Sequence, residues 1–145
     1  MEFNARFGDP ETQVVLDRLA TPLAGPLRAA AAGSLAGAAP LRWSPGSAVT
    51  VVIAAEGYPA RPAVGDLIEG ADFTERDGAS YLLHAGTARG GSGLVSAGGR
   101  VLNVVGTGPD LAAARAAAYQ RAAGITMRGG WYRTDIAERA AAASR

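Results

Sequence analysis

The sequence predicts an α+β fold: a short strand-and-helix piece joined to a small β-rich domain with one or two covering helices. Three observations carry this. Glu2 to Phe7 alternates polar and apolar side chains, and Ala48 to Ala54 is a continuous run rich in β-branched residues; both are strand patterns. Pro109 to Ala123 is a long alanine-rich stretch that ends at Gly124, as a helix does.

The elements follow in order. Residues 2–7 form a strand with Glu2, Asn4 and Arg6 on one face and Phe3, Ala5 and Phe7 on the other, toward a core. Gly8-Asp9-Pro10 ends it; Asp9 fits the N-cap and Pro10 the first position of a helix. Val14, Val15 and Leu19 are that helix's apolar positions. Pro22 and Pro26 interrupt, but Leu23, Leu27, Ala30 and Ala31 continue the helical spacing as far as Gly33. Residues 34–46, with Gly37, Pro40, Pro45 and Gly46, read as a loop or boundary. The 48–54 strand follows, then turns at Gly57-Tyr58-Pro59 and Gly65-Asp66, a short strand at Leu67-Ile68 and another at 80–84. Segments 92–96 and 100–105 flank Gly98-Gly99, a hairpin signal. The 109–123 helix comes next, and the region from Trp131 closes on a short helix.

Composition excludes several functions. The chain has 145 residues, 14 basic against 13 acidic, one histidine and no cysteine. A net charge of +1 lacks the basic excess of a broad nucleic-acid footprint. Without cysteine there is no disulfide framework, thiolate zinc site or thiol nucleophile. All basic residues are arginine, so a lysine-bearing phosphate loop and a Schiff base are excluded within these residues; with the abundant alanine this reads as a GC-rich coding bias. No apolar run reaches the ~18–20 residues of a membrane span, and the first residues lack a signal-peptide layout. The expectation is a cytoplasmic protein with no nucleic-acid or membrane partner.

Three places carry candidate chemistry. Glu2 and Asn4 present a carboxylate and an amide oxygen on one strand face, half of an oxygen-ligand site for a hard cation such as Mg²⁺. Arg6 on that face suits phosphate oxygens. The competing reading is an ordinary solvent-facing strand face. Gly8-Asp9-Pro10-Glu11 opens a helix, whose free N–H groups suit an anion; taken alone, the residues favour Asp9 as a plain cap. His84 has the acid–base chemistry of imidazole, but no partner is identified by the sequence. Gly90-Gly91-Ser92-Gly93 precedes a strand rather than a helix, so it is a mobile turn and not a phosphate loop. Trp131-Tyr132-Arg133 reads as packing rather than a base-stacking platform.

The stretch Glu2-Phe3-Asn4-Ala5-Arg6-Phe7-Gly8-Asp9-Pro10-Glu11-Thr12-Gln13 resembles the E-F-N-x-R-F-G-D-P-E-T-Q signature of the phosphoribosylamine–glycine ligase (glycinamide ribonucleotide synthetase) family. Further segments resemble that family in order: Ala55-Glu56-Gly57-Tyr58-Pro59, Gly65 to Gly70, His84-Ala85-Gly86-Thr87, Gly98 to Leu102, Ala114-Arg115 with Ala118-Tyr119, and Arg133 to Ile136. Ile136-Ala137-Glu138-Arg139 departs from the family's usual I-G-W-R.

The resemblance implies residues 1–45 as the C-terminal end of an ATP-grasp domain. It implies 46–145 as a C-terminal β-rich domain of the rudimentary single-hybrid type. It also implies an ATP-dependent C–N ligase that joins glycine to 5-phosphoribosylamine through a glycyl phosphate, in de novo purine (IMP) synthesis. On this basis Glu2 and Asn4 ligate the Mg²⁺ or Mn²⁺ that accompanies ATP. Arg6, Gly8 and Asp9 become substrate or phosphate contacts, and no nucleophilic side chain is expected. The family's N-terminal substrate domain, glycine-rich loop and adenine-gripping segment have no counterpart among these residues, so the chain alone is expected to be inactive. Two competitors remain: a stand-alone non-catalytic β-domain module, and another ATP-grasp carboxylate–amine ligase.

Overall fold

The computed structural model describes residues 6–71, 76 and 78–143. Its centre is a three-stranded antiparallel sheet in the order β1-β6-β3, with β1 Ser47–Ala54, β6 Arg100–Gly108 and β3 Ser80–His84. The β-branched run predicted as a strand at 48–54 is β1. It pairs with β6 from Ser47↔Gly108 to Ile53↔Leu102, and β3 pairs along the other side of β6, from Ser80↔Gly106 to His84↔Leu102. The middle strand is accordingly the most buried, with Val101, Leu102, Val104 and Val105 fully enclosed.

Helices cover both faces of this sheet. The long alanine-rich helix, α3 (Leu111–Ala123), starts from Asp110, whose side chain accepts from the Ala113 N–H at 2.8 Å. It lays Ala114, Ala118 and Ala122, all fully buried, on the sheet. Their small side chains let the helix approach closely, and Gly106 and Gly108 complete the fit. A Cβ added at Gly106 would lie 2.8 Å from Ala118 Cα. Val49 and Val51 pack against α3 from β1. The opposite face, carrying Tyr81, Val105 and Thr107, receives α1 (Glu11–Arg18).

The remaining elements are short: α2 (Ala24–Ala31), β2 (Ile68–Glu69) paired with β7 (Thr126–Met127), β4 (Thr87–Gly90) paired with β5 (Gly93–Ser96), and α4 (Glu138–Ala143). Residues 34–46 contain no helix and no named strand, as expected of a loop.

Four expectations are corrected. Asp9 does not cap α1: Pro10 occupies the N-cap position, and the Asp9 carboxylate turns to Gln13 and Arg100 instead. The helical spacing from 10 toward Gly33 is two helices, not one. α1 stops at Leu19, which enters extended backbone and bridges Trp43, and Pro26 sits in the first turn of α2, where no intrahelical N–H is required. Gly98-Gly99 does not join a hairpin, because β5 pairs with β4 and β6 pairs with β1 and β3. The tight hairpin lies at Gly90↔Gly93, with Gly91-Ser92 at its tip, so the glycine cluster read as a mobile turn is the turn of β4–β5. Phe7, expected on a core face, is 62% exposed. Its proposed strand-mates Phe3 and Ala5 lie outside the described residues.

Candidate functional site

The candidate turn runs from Arg6 to Pro10. The Arg6 guanidinium donates to the Phe7 carbonyl at 3.0 Å and its side chain is exposed. Gly8 offers its carbonyl to the Thr12 N–H at 3.1 Å, which starts α1 on the turn itself. Asp9 is the anchor. Its Oδ1 accepts from Gln13 Nε2 at 2.7 Å, one helical turn on. Its Oδ2 lies 3.2 Å from Arg100 Nη2, and its carbonyl accepts from Arg100 Nη1 at 3.1 Å. The Asp9–Pro10 peptide is cis, as is Tyr58–Pro59. Arg6, Gly8 and Asp9 are thus brought together on one turn, while Glu2 and Asn4 lie outside the described residues. Among the described residues no group of three or more His, Asp or Glu is placed to hold a metal.

Beside this turn is a cleft of about 230 Å³. Pro10, Tyr58, Arg100, Trp131, Arg133 and Ile136 form its walls over the α1-facing side of β1. Its walls are mainly apolar, and both cations at its rim are paired: Arg100 with Asp9, and Arg133 with Asp135 at 2.6 and 2.9 Å. The hydrogen bond from Arg133 holds the Asp135 carboxyl below the usual carboxylate range. Trp131 is fixed by its backbone, which exchanges hydrogen bonds with Ala54 at 2.8 and 3.0 Å, and its indole N–H reaches the Ala55 carbonyl at 3.3 Å. Tyr132 packs against both core clusters, as expected, while Trp131 stays 44% exposed.

Further along α1, Asp17 forms a second polar knot. Its side chain is 1% exposed. It accepts from Arg18 at 2.5 Å, from the Tyr81 hydroxyl at 2.9 Å and from Arg76. Burial pushes its carboxyl upward, but those three donors and the Arg76 charge together hold it below the usual value. Burial and the Asp17 carboxylate push the Tyr81 phenol up to about 12. This knot and the Arg100–Asp9 pair tie α1 to the sheet at both ends.

His84 is not brought to the turn. Its Nδ1 lies 3.0 Å from Thr87 Oγ1 on an exposed bend, beside Arg89 and Leu94 in a shallow hollow. Sequence reasoning missed Arg100 as the partner of Asp9, and missed the separate knot that Arg76 and Tyr81 make on Asp17. The only available signal was that Arg100 falls in one of the family-like segments, and nothing there pointed to Asp9.

A mixed α+β domain with an arginine-pinned, signature-bearing turn at its N-terminal end is the class of protein that this geometry defines. The family described as "Phosphoribosylglycinamide synthetase, C domain" matches residues 48–139, and the chain belongs to it. Among its relatives, the phosphoribosylamine–glycine ligase of Streptomyces coelicolor is 58% identical over 145 residues, covering 99% of this chain and 35% of that protein. The enzyme of the same name from Mycobacterium tuberculosis is 56% identical over 142 residues, 97% of this chain and 32% of that one. The crystal structure of phosphoribosylamine–glycine ligase from Thermotoga maritima superposes with a TM-score of 0.77 at 34% identity, covering 94% of this chain and 32% of the other. The chain spans about a third of the length of the relatives it matches. Among the described residues no helix is long and apolar enough to cross a membrane.

Proposed function

We propose that these residues serve as the C-terminal third of a cytoplasmic phosphoribosylamine–glycine ligase, working in de novo purine (IMP) synthesis. In that reaction a glycine carboxylate oxygen attacks the γ-phosphorus of ATP and ADP leaves. The amine of 5-phosphoribosylamine then attacks the acyl carbon of glycyl phosphate, phosphate departs, and the amine proton passes to solvent. The observation that carries the reading is the E-F-N-A-R-F-G-D-P-E-T-Q stretch, whose Arg6–Pro10 part forms one turn anchored to the sheet. Identity to enzymes of that name extends over nearly the whole chain.

In this reading residues 1–45 close an ATP-grasp domain, and 46–145 are the β-rich domain of single-hybrid type. Glu2 and Asn4 offer hard oxygen donors that suit Mg²⁺ or Mn²⁺. Such a cation would neutralise phosphate charge during transfer. Arg6, with its exposed guanidinium, and the backbone at Gly8 and Asp9 contact substrate or phosphate. No side chain forms a covalent intermediate; the residues position groups and offset charge.

The test is a chimera of the Streptomyces coelicolor ligase in which this chain replaces the matching 145 residues. It should form product with ADP and phosphate. Glu2→Ala or Asn4→Ala should lower turnover by roughly 10²-fold or more, the scale of losing one preorganised electrostatic group. The 145-residue chain by itself should give no heat on titration with MgATP. A folded but inactive chimera would overturn the reading. So would MgATP binding by the isolated chain that disappears in Glu2→Ala, because the chain would then hold a complete nucleotide site.

A further inference from the structure

We infer that Arg100 is a positioning residue for the Arg6–Pro10 turn, and that a β-bulge in β6 aims it there. Along β6, Leu102 and Val104 face α3 together with Gly106, whose absent side chain admits Ala118. Asn103, Val105 and Thr107 take the other face. Tyr81, paired with Val105, lies on that face and reaches α1 through Asp17. Simple alternation would send Arg100 to the α3 face with the even-numbered residues.

The pairing with β1 slips at this point. Ile53 lies opposite Leu102, but Ala54 lies opposite Arg100, and Val101 has no residue across from it. The extra residue reverses the facing of what precedes it. Val101 stays fully buried in the main core, and Arg100 emerges on the α1 side, where its guanidinium grips Asp9 at both carboxylate and carbonyl.

The backbone under Arg100 is held on both sides. The Ala55 N–H donates to the Gly99 carbonyl at 2.9 Å and the Gly86 N–H to the Arg100 carbonyl at 2.8 Å. Tyr58 fills the space beside Gly99, where a Cβ would lie 2.9 Å from Tyr58 Cε2. The guanidinium is therefore presented from a fixed platform. An incidental surface ion pair would need neither the bulge nor the second bond to the Asp9 carbonyl. The β-rich domain thus orients the turn that carries the candidate contacts Arg6 and Gly8. The consequence for catalysis rests on the ligase reading; the clamp itself does not.

Two measurements separate these. In hydrogen exchange on the 145-residue chain, Arg100→Gln should speed exchange of the Thr12 amide, which donates to the Gly8 carbonyl, by roughly three- to tenfold, the scale of a half-exposed ion pair plus one hydrogen bond. Arg100→Lys should fall between it and the unaltered chain, and the amides of Val51 and Val104 should be unchanged. In the chimera, Arg100→Gln should lower kcat while leaving KM for ATP unchanged, Arg100→Lys should recover part of the loss, and Arg100→Gln should cost less on top of Asp9→Asn than it costs alone, because only its bond to the Asp9 carbonyl is then left to lose. Unchanged exchange at Thr12, a uniform rise that includes the core strands, or losses from the two substitutions that multiply would each overturn the inference. If the unsubstituted chimera turns over no substrate, the ligase reading falls and exchange alone decides the clamp.

Discussion

The Tyr81 hydroxyl donates to Asp17 Oδ2 at 2.9 Å, joining β3 to α1 across 64 residues of sequence. Arg76 completes the arrangement: it pairs with the same carboxylate and lies over the Tyr81 ring, its guanidinium carbon 4.7 Å from the ring centre. A carboxylate 1% exposed is tolerable only because three donors satisfy it.

Tyr81→Phe should therefore destabilise the chain by about 1 kcal/mol, since Asp17 loses one of three donors but keeps both arginines. The urea midpoint should fall with the slope unchanged, because the surface exposed on unfolding is the same. An unchanged midpoint would mean that the hydroxyl contributes nothing to docking α1.

The same knot should contribute to the pH dependence of stability. The Asp17 carboxyl is held below its ordinary value in the folded chain. Its contribution is therefore present above the unfolded carboxylate pKa near 4, and it is lost as pH falls through the lower folded value. Tyr81 is shifted the other way, to about 12. Its contribution is full below the unfolded phenol value near 10 and disappears as pH rises through about 12. Urea melts at low, neutral and high pH should show losses at both extremes, with the alkaline loss reduced in Tyr81→Phe. An alkaline loss of equal size in that variant would remove Tyr81 from the explanation.

Gly106→Ala should be among the most damaging single-methyl changes. The added carbon would lie 2.8 Å from Ala118 Cα and closer still to α3 backbone atoms, and neither a central strand nor a packed helix can shift freely. Overpacking of this kind costs about 1–3 kcal/mol or more, read as a lowered urea midpoint. The same substitution at Gly25, where nothing lies within 4 Å and the backbone is helical, should be neutral or mildly stabilising.

Much of the fold was legible. The β1 run, the alanine helix α3 with its stop at Gly124, the 80–84 strand and the 34–46 loop all lie where local pattern placed them. Two of the errors share one cause. Gly98-Gly99 looked like a hairpin turn because two strand-like segments flank it, yet β5 chose β4 and β6 chose β1 and β3. Local turn chemistry says that the chain bends; it does not say which edge a strand will join. Asp9 looked like a cap for a similar reason: a capping residue and an ion-pair acceptor are the same side chain until a cation arrives from elsewhere in the chain.

The sequence by itself determined the order and kind of the main elements and, through the 2–13 stretch and the ordered segments after it, the family. Those properties are local: periodicity, turn residues and short motifs are written in neighbouring positions. Only the tertiary structure decided that Arg100 meets Asp9, that Tyr81 and Arg76 meet Asp17, and that Val101 is an extra residue in its ladder. Each depends on strand register, where a shift of one residue moves a side chain to the opposite face. Register is fixed by packing α3 and α1 on the two sides of the sheet at once, and no short stretch of the sequence contains that information.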